Sequence, residues 1–281
     1  MASSDQQLIL PIIDSHIHLY PSSELDTLAW THPEHPLHGQ RSLEQYKADT
    51  QTAPSLLGFV LIEADRKHDL ASPDGASGWA APLQEVRWAR RIALGEPRDG
   101  EGHTSDDKKL CLGIIPWAPL PSGPAVLERY LKRVEEEAGD AWPKVKGFRY
   151  LLQDKPNGTM LEQDFVDSLK LLGRRGFVFE VPRVYMKLSG ALAEMPPALR
   201  AQDAAHIFQS TFGWLGVVLA TFGPRRIMFG SDWPVCTVDM PDGQGWTRWK
   251  GVVDKMCWMA SLDDDERAMI YGGTAKEAYG L

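Results

Sequence analysis

The stretch GFVFEVPRVYMKLSG, residues 176–190, holds two apolar runs with almost nothing between them. FVFEV (177–181) and VYMKL (184–188) have the β-branched and aromatic composition of buried strands, yet only Pro182 and Arg183 separate them. A crossover between parallel strands of one sheet takes about 10 to 12 residues or more. The pair therefore reads either as one bent strand or as two strands of which one has left the sheet.

Outward from this junction, strand-like and helix-like segments alternate along the whole chain, the pattern of βα units on a parallel sheet. The strand-like runs are ILPIIDSHIHLY (9–20), LLGFVLIEAD (56–65), LCLGIIPWAPL (110–120), VKGFRYLLQ (145–153) and RIMFGSDWPV (226–235). Between them lie helix-like segments near 82–94, 125–138, 164–176 and 204–222, and two more follow near 247–260 and 263–278. Ser261 and Asp263 are candidate caps for the last one. Segments 66–81 and 95–109 are rich in Gly, Asp, Ser and Pro and read as surface loops. Residues 21–54 form a larger excursion after the first strand, where a barrel would place a loop over its mouth.

The chain has 281 residues, 43% hydrophobic and 24% charged, which suits one large domain over residues 1–281. Its net charge of −8 lacks the basic footprint of a nucleic-acid binder. Cys111, Cys236 and Cys257 are odd in number and far apart, as in a reduced intracellular protein. The N-terminal apolar run meets Pro11 and Asp14 too soon for a signal peptide or membrane helix, so the expectation is a soluble, cytosolic protein with no membrane partner.

Two motifs carry chemistry. DSHIH (14–18) sets His16 and His18 two apart on a strand, hence on one face, where both imidazoles can serve a metal ion or a substrate carbonyl. GSDWP (230–234) ends the last strand with Asp232, a candidate acceptor of a proton from water. First and last strands adjoin in a closed barrel, so the three side chains should meet. The bland alternatives are core histidines and a turn-capping aspartate. Trp30, Trp117 and Trp233 are candidates for flat contact with a sugar ring, although most of ten tryptophans must serve the core. His32, His35 and His38 in THPEHPLHG (31–39) read as a solvated lid in preference to a metal tract.

DSHIHLY, KGFRYLLQ, VYMKLSGAL and MFGSDWPVC, in this order, resemble the amidohydrolase-related family, and within it the sugar-lactone hydrolases of the L-rhamnono- and L-fucono-lactonase type. The resemblance implies a TIM-type (β/α)8 barrel and hydrolysis of a small-molecule lactone to a hydroxy acid. It assigns His16, His18 and Asp232 to the active site, with Asp232 as general base. Arg149 would be a partner for a substrate oxygen, and Glu180 a substrate contact. For the last two an ion pair lining the barrel is the competing account. On cofactors the family leaves two options, no metal at all or a divalent ion such as zinc held by His16, His18 and Asp232. In relatives a helix, a sixth strand with a histidine and a further helix separate the two runs of residues 176–190. Here only His206 lies nearby, inside a helical segment. The expectation is thus a barrel lacking about one βα unit between residues 181 and 184, whose exposed edges would favour oligomers. The alternatives are a catalytically impaired isoform and, more distantly, a metal-dependent decarboxylase.

Overall fold

Several of the apolar runs condense into strands shorter than themselves. In the computed structural model, which describes residues 9–50, 53–72, 77–179, 185–240 and 244–281, these are β1 (Ile12–Ile17), β2 (Leu56–Ile62), β3 (Cys111–Ile115), β4 (Gly147–Phe148), β5 (Val178–Phe179), β6 (Met186–Leu188) and β7 (Ile227–Phe229). The helices are α1 (Leu43–Thr50), α2 (Ala80–Leu94), α3 (Pro124–Ala138), α4 (Gln163–Arg174), α5 (Pro197–Arg200), α6 (Ala204–Phe222), α7 (Gln244–Met259), α8 (Asp264–Ala268) and α9 (Thr274–Tyr279). A π-helical turn, Met269–Gly273, joins α8 to α9. Asp263 caps α8 with a reciprocal Glu266 contact, whereas Ser261 does not cap and sits in the left-handed region at φ 52°.

Every strand pairing is parallel. β6 pairs with β7, β1 with β2, β2 with β3, and β4 with β5. Single bridges complete the arc, Ile17 to Trp233 between β1 and the end of β7, and Ile114 to Val145 between β3 and the approach to β4. The order is therefore β6-β7-β1-β2-β3-β4-β5, and among the described residues no pairing joins β5 to β6. Of the two runs in residues 176–190, the described part of the first pairs with β4 and that of the second with β7, one at each end of the arc; the junction between them, where the two were expected to merge or part, lies outside the described residues.

Two apolar layers hold the arc. Outside it, Ile12, Ile17, Phe59, Leu61, Leu188 and Phe229 pack against Trp88, Trp246 and Trp249 of the helices. A second cluster gathers Ile13, Val60, Ile62, Ile115 and Met228 against Ala275 and Tyr279 of α9. α6 is the exception among the helices. It is long and apolar enough to cross a membrane by length and composition, yet only 22% of it is buried. It packs on α7, while Phe212, Trp214 and Val217 remain exposed.

Candidate active site

The site begins with a slip in β1. Register with β2 shifts between Asp14 and Ile17, and side chains two apart then face opposite ways. Asp14 turns to the helix layer, where it is 0% exposed. Its Oδ1 accepts from Ser231 N–H at 2.8 Å, and its Oδ2 accepts from Trp246 Nε1–H at 2.9 Å and Tyr46 O–H at 3.1 Å. Burial pushes this carboxyl up, with the Ser231, Trp246 and His16 hydrogen bonds pulling the other way. Asp14 thus ties β1 to the segment after β7. Backbone hydrogen bonds repeat the tie, from Asp232 N–H to His16 O at 2.8 Å and from His18 N–H to Trp233 O at 2.7 Å.

His16 and His18 face the other side, both 8% exposed, into a cleft of about 540 Å³. His18 Nδ1 lies 2.8 Å from Glu63 O and 3.2 Å from Ile62 O. Carbonyls only accept, so Nδ1 carries the proton and Nε2 turns a lone pair into the cleft. His16 Nδ1 lies 3.2 Å from Lys187 Nζ. Burial, and next the Lys187 charge, push His16 well below its ordinary value despite the opposing pull of Asp232, so its ring is neutral.

Asp232 completes the triangle. Its Oδ1 is 3.3 Å from His16 Nε2 and 3.4 Å from His18 Nε2, and the two nitrogens are 3.2 Å apart. The aspartate holds φ 60°, a left-handed conformation that only a few non-glycine residues adopt and that recurs at functional sites. Room is made by Gly190, itself at φ 74°, where an added Cβ would come within 3.1 Å of Asp232 Oδ2. Burial alone would push the carboxyl up. Contact with His18 and His16 and the charge of Arg149 outweigh it and hold Asp232 at about 2. Arg149 follows β4 and lines the same cleft, its NH1 donating to Glu63 Oε1 at 2.7 Å.

Donors at three corners of a zinc tetrahedron stand about 3.4 Å apart, and the triangle has that spacing. The donor chemistry fits at His18 and Asp232. It does not fit at His16, where the ammonium of Lys187 takes the Nδ1 lone pair and leaves the ring proton on Nε2.

The chain is 30% identical to an L-rhamnono-gamma-lactonase of Scheffersomyces stipitis over 337 aligned positions, which cover 96% of this chain and 98% of that protein. The amidohydrolase family profile matches residues 173–281. This chain belongs to the amidohydrolase family. A 104-residue stretch is also 39% identical to an L-fucono-1,5-lactonase of Burkholderia multivorans, covering 36% of this chain and 32% of that protein. Among solved structures, an amidohydrolase from Burkholderia multivorans with bound zinc superposes with a TM-score of 0.67 at 20% identity, over 96% of this chain and 99% of that one. Amidohydrolase 2 from Bifidobacterium longum subsp. infantis does so with a TM-score of 0.58 at 17% identity, over 97% and 99%. Both share the barrel-like α/β fold of this amidohydrolase.

Sequence reading and structure agree in part on where the site residues lie. His16, His18, Asp232 and Arg149 line one cleft of the amidohydrolase. Trp30 lies beside it, in a smaller cavity shared with His18 and Arg149, and donates Nε1–H to Ala64 O at 2.8 Å. Trp117 and Trp233 are each 1% exposed and lie in the packed interior, Trp117 edge-on to Tyr130 and Trp233 edge-on to Tyr46, with Trp233 Nε1 donating to Asp49. Glu180 lies outside the described residues. His206 is exposed and pairs with Asp203 at the start of α6, far in role from a cleft ligand. His32 is exposed and pairs with Glu34 in the loop after β1. The sequence reading passed over Glu63, Lys187 and Asp14. The signal existed for Lys187 and Asp14, each a lone charged residue inside an otherwise apolar strand run, and less plainly for Glu63, which shares its run with Asp65.

Proposed function

We propose that this amidohydrolase opens a sugar lactone, the cyclic ester of an aldonic acid, to the free hydroxy acid. The observation that carries the reading is the meeting of Asp232 Oδ1 with His16 and His18 within 3.4 Å, in a chain aligned along nearly its whole length with a lactonase. Lactone carbonyl oxygen accepts from His16 Nε2–H, with Arg149 beside it. Asp232 takes a proton from water as the water oxygen bonds to the carbonyl carbon. Negative charge develops on the carbonyl oxygen and is met by the His16 N–H and the guanidinium. Collapse re-forms the C=O bond, breaks the ring C–O bond and returns the Asp232 proton to the departing ring oxygen. A carboxyl held at about 2 is a weak base. Docking of the carbonyl draws the His16 N–H away from the triangle and displaces water, and both changes raise the affinity of Asp232 for the proton. The scheme draws its electrophile from His16 and Arg149 and uses no metal step.

We infer also that the chain lacks about one βα unit carried by its relatives. Three observations support this: 337 aligned positions against 281 residues, arc ends β5 and β6 with no described pairing between them, and an exposed apolar face on α6, the long helix between β6 and β7. The same opening favours a second reading, in which the triangle is intact but one wall of the cleft is missing and turnover is poor.

An aldonolactone panel read with a pH indicator separates the two. The first reading expects at least one lactone to open well above the buffer rate, and Asp232→Asn to lower that rate by on the order of 10²- to 10⁴-fold. Equal rates for wild type and variant would sink the assignment, and a folded wild type inactive on every lactone would leave the second reading standing.

A further inference from the structure

We propose that Lys187 is a positioning residue that fixes His16 as its Nε2–H tautomer and thereby keeps divalent ions out of the His16–His18–Asp232 triangle. Lys187 is the central residue of β6, in register with Met228 of β7, and its Nζ passes over the Tyr279 ring 5.5 Å from the centroid to reach 3.2 Å from His16 Nδ1. An ammonium has three N–H donors and no lone pair, so Nδ1 must accept. A neutral imidazole has one proton, and it then falls on Nε2.

His18 is set the opposite way. Its Nδ1–H is spent on Glu63 O, which leaves Nε2 bare. The 3.2 Å contact between the two Nε2 atoms is therefore a donor meeting an acceptor. The cleft is offered one histidine N–H and one histidine lone pair. Zinc needs two lone pairs there. To supply the second, His16 would have to move its proton to Nδ1, against an N–H of Lys187 and beside its charge.

The kinetic consequence rests on the lactonase reading, but the tautomer and the metal uptake do not. Long-range ¹H–¹⁵N correlation on protein labelled at histidine nitrogen, with His16 assigned by its loss in His16→Gln, should show a bare Nδ1 and a protonated Nε2 for His16 and the reverse for His18. In equilibrium dialysis against micromolar zinc, wild type should take up far less than one equivalent, Lys187→Met about one, and Lys187→Arg, which keeps a donor at the site, as little as wild type. A wild-type His16 protonated on Nδ1, or a wild-type zinc equivalent that His16→Gln removes, overturns the proposal. Should Lys187→Met fail to fold, those two wild-type measurements still decide. No lactone opening alongside the expected tautomers refutes the function and leaves this inference standing, and opening alongside the wrong tautomer does the reverse.

Discussion

Asp14 is the clamp that brings His16 to Asp232, and its removal should be among the costliest single changes in the chain. It is fully buried and takes strong hydrogen bonds from Ser231, Trp246 and Tyr46, which belong to the segment after β7, to α7 and to α1. Asp14→Ala leaves these donors without an acceptor in a dry layer, at about 1–3 kcal/mol each before relaxation. Allowing for non-additivity, the sum is about 3–5 kcal/mol, a large share of a typical total. Asp14→Asn is the sharper probe because its shape is conserved. Whichever way the amide is turned, its NH₂ faces at least one obligate donor, Ser231 N–H on one side or Trp246 Nε1–H on the other, while only Tyr46 can rotate to accept. The expected cost is about 1–3 kcal/mol, or a Tm lower by about 2–4 °C per kcal/mol in a chain of this size. Thermal melts followed by circular dichroism measure both. Variants that melt with wild type would refute the clamp.

Other expectations follow from the same geometry. The Asp232 pKa is depressed from 3.8 to about 2, so its stabilising contribution is complete above about pH 4 and is lost as pH falls through the folded value. Denaturant titrations of wild type and Asp232→Asn should differ by a constant amount from pH 5 to 8, then converge by about 2 kcal/mol toward pH 2. Glu63→Gln removes a fully buried carboxylate from Arg149. It should cost about 1.5–3 kcal/mol in denaturant titration and raise KM for the lactone, and an unchanged KM would detach Arg149 from substrate binding. On α6, Phe212→Glu with Val217→Lys should shift a concentration-dependent oligomer toward monomer in light scattering, whereas an unaltered mass would show that this face is not what associates.

The framework was legible because buried parallel strands are continuous apolar runs, and these mark the strand positions even where the ladder is only two residues long, as at β4 and β5. Run length reports burial, not hydrogen bonding, so the run at 145–153 overstates its strand. His16 and His18 were legible from spacing alone. Their distance to Asp232 needed the adjacency of β1 and β7, which the motif order implies. Lys187 and Glu63 were not singled out, since a charge inside an apolar run implies a buried partner without naming it or the face it lies on. Trp117 and Trp233 show the limit from the other side: nothing in a one-letter code separates a tryptophan whose face is free from one whose edges are packed. The ordering of β5 and β6 at opposite ends of the arc was not legible either, because local composition does not state which neighbour a strand will find.

The central claim is water attack on a lactone carbonyl directed by Asp232. Its most direct test is turnover of an aldonolactone in ¹⁸O-water after dialysis against chelator, with the product analysed by mass spectrometry. The account predicts that each product molecule gains a single ¹⁸O in its carboxylate, at a rate that Asp232→Asn lowers by on the order of 10²- to 10⁴-fold. Label in the liberated hydroxyl, release of carbon dioxide, or a rate restored only by added metal would contradict it.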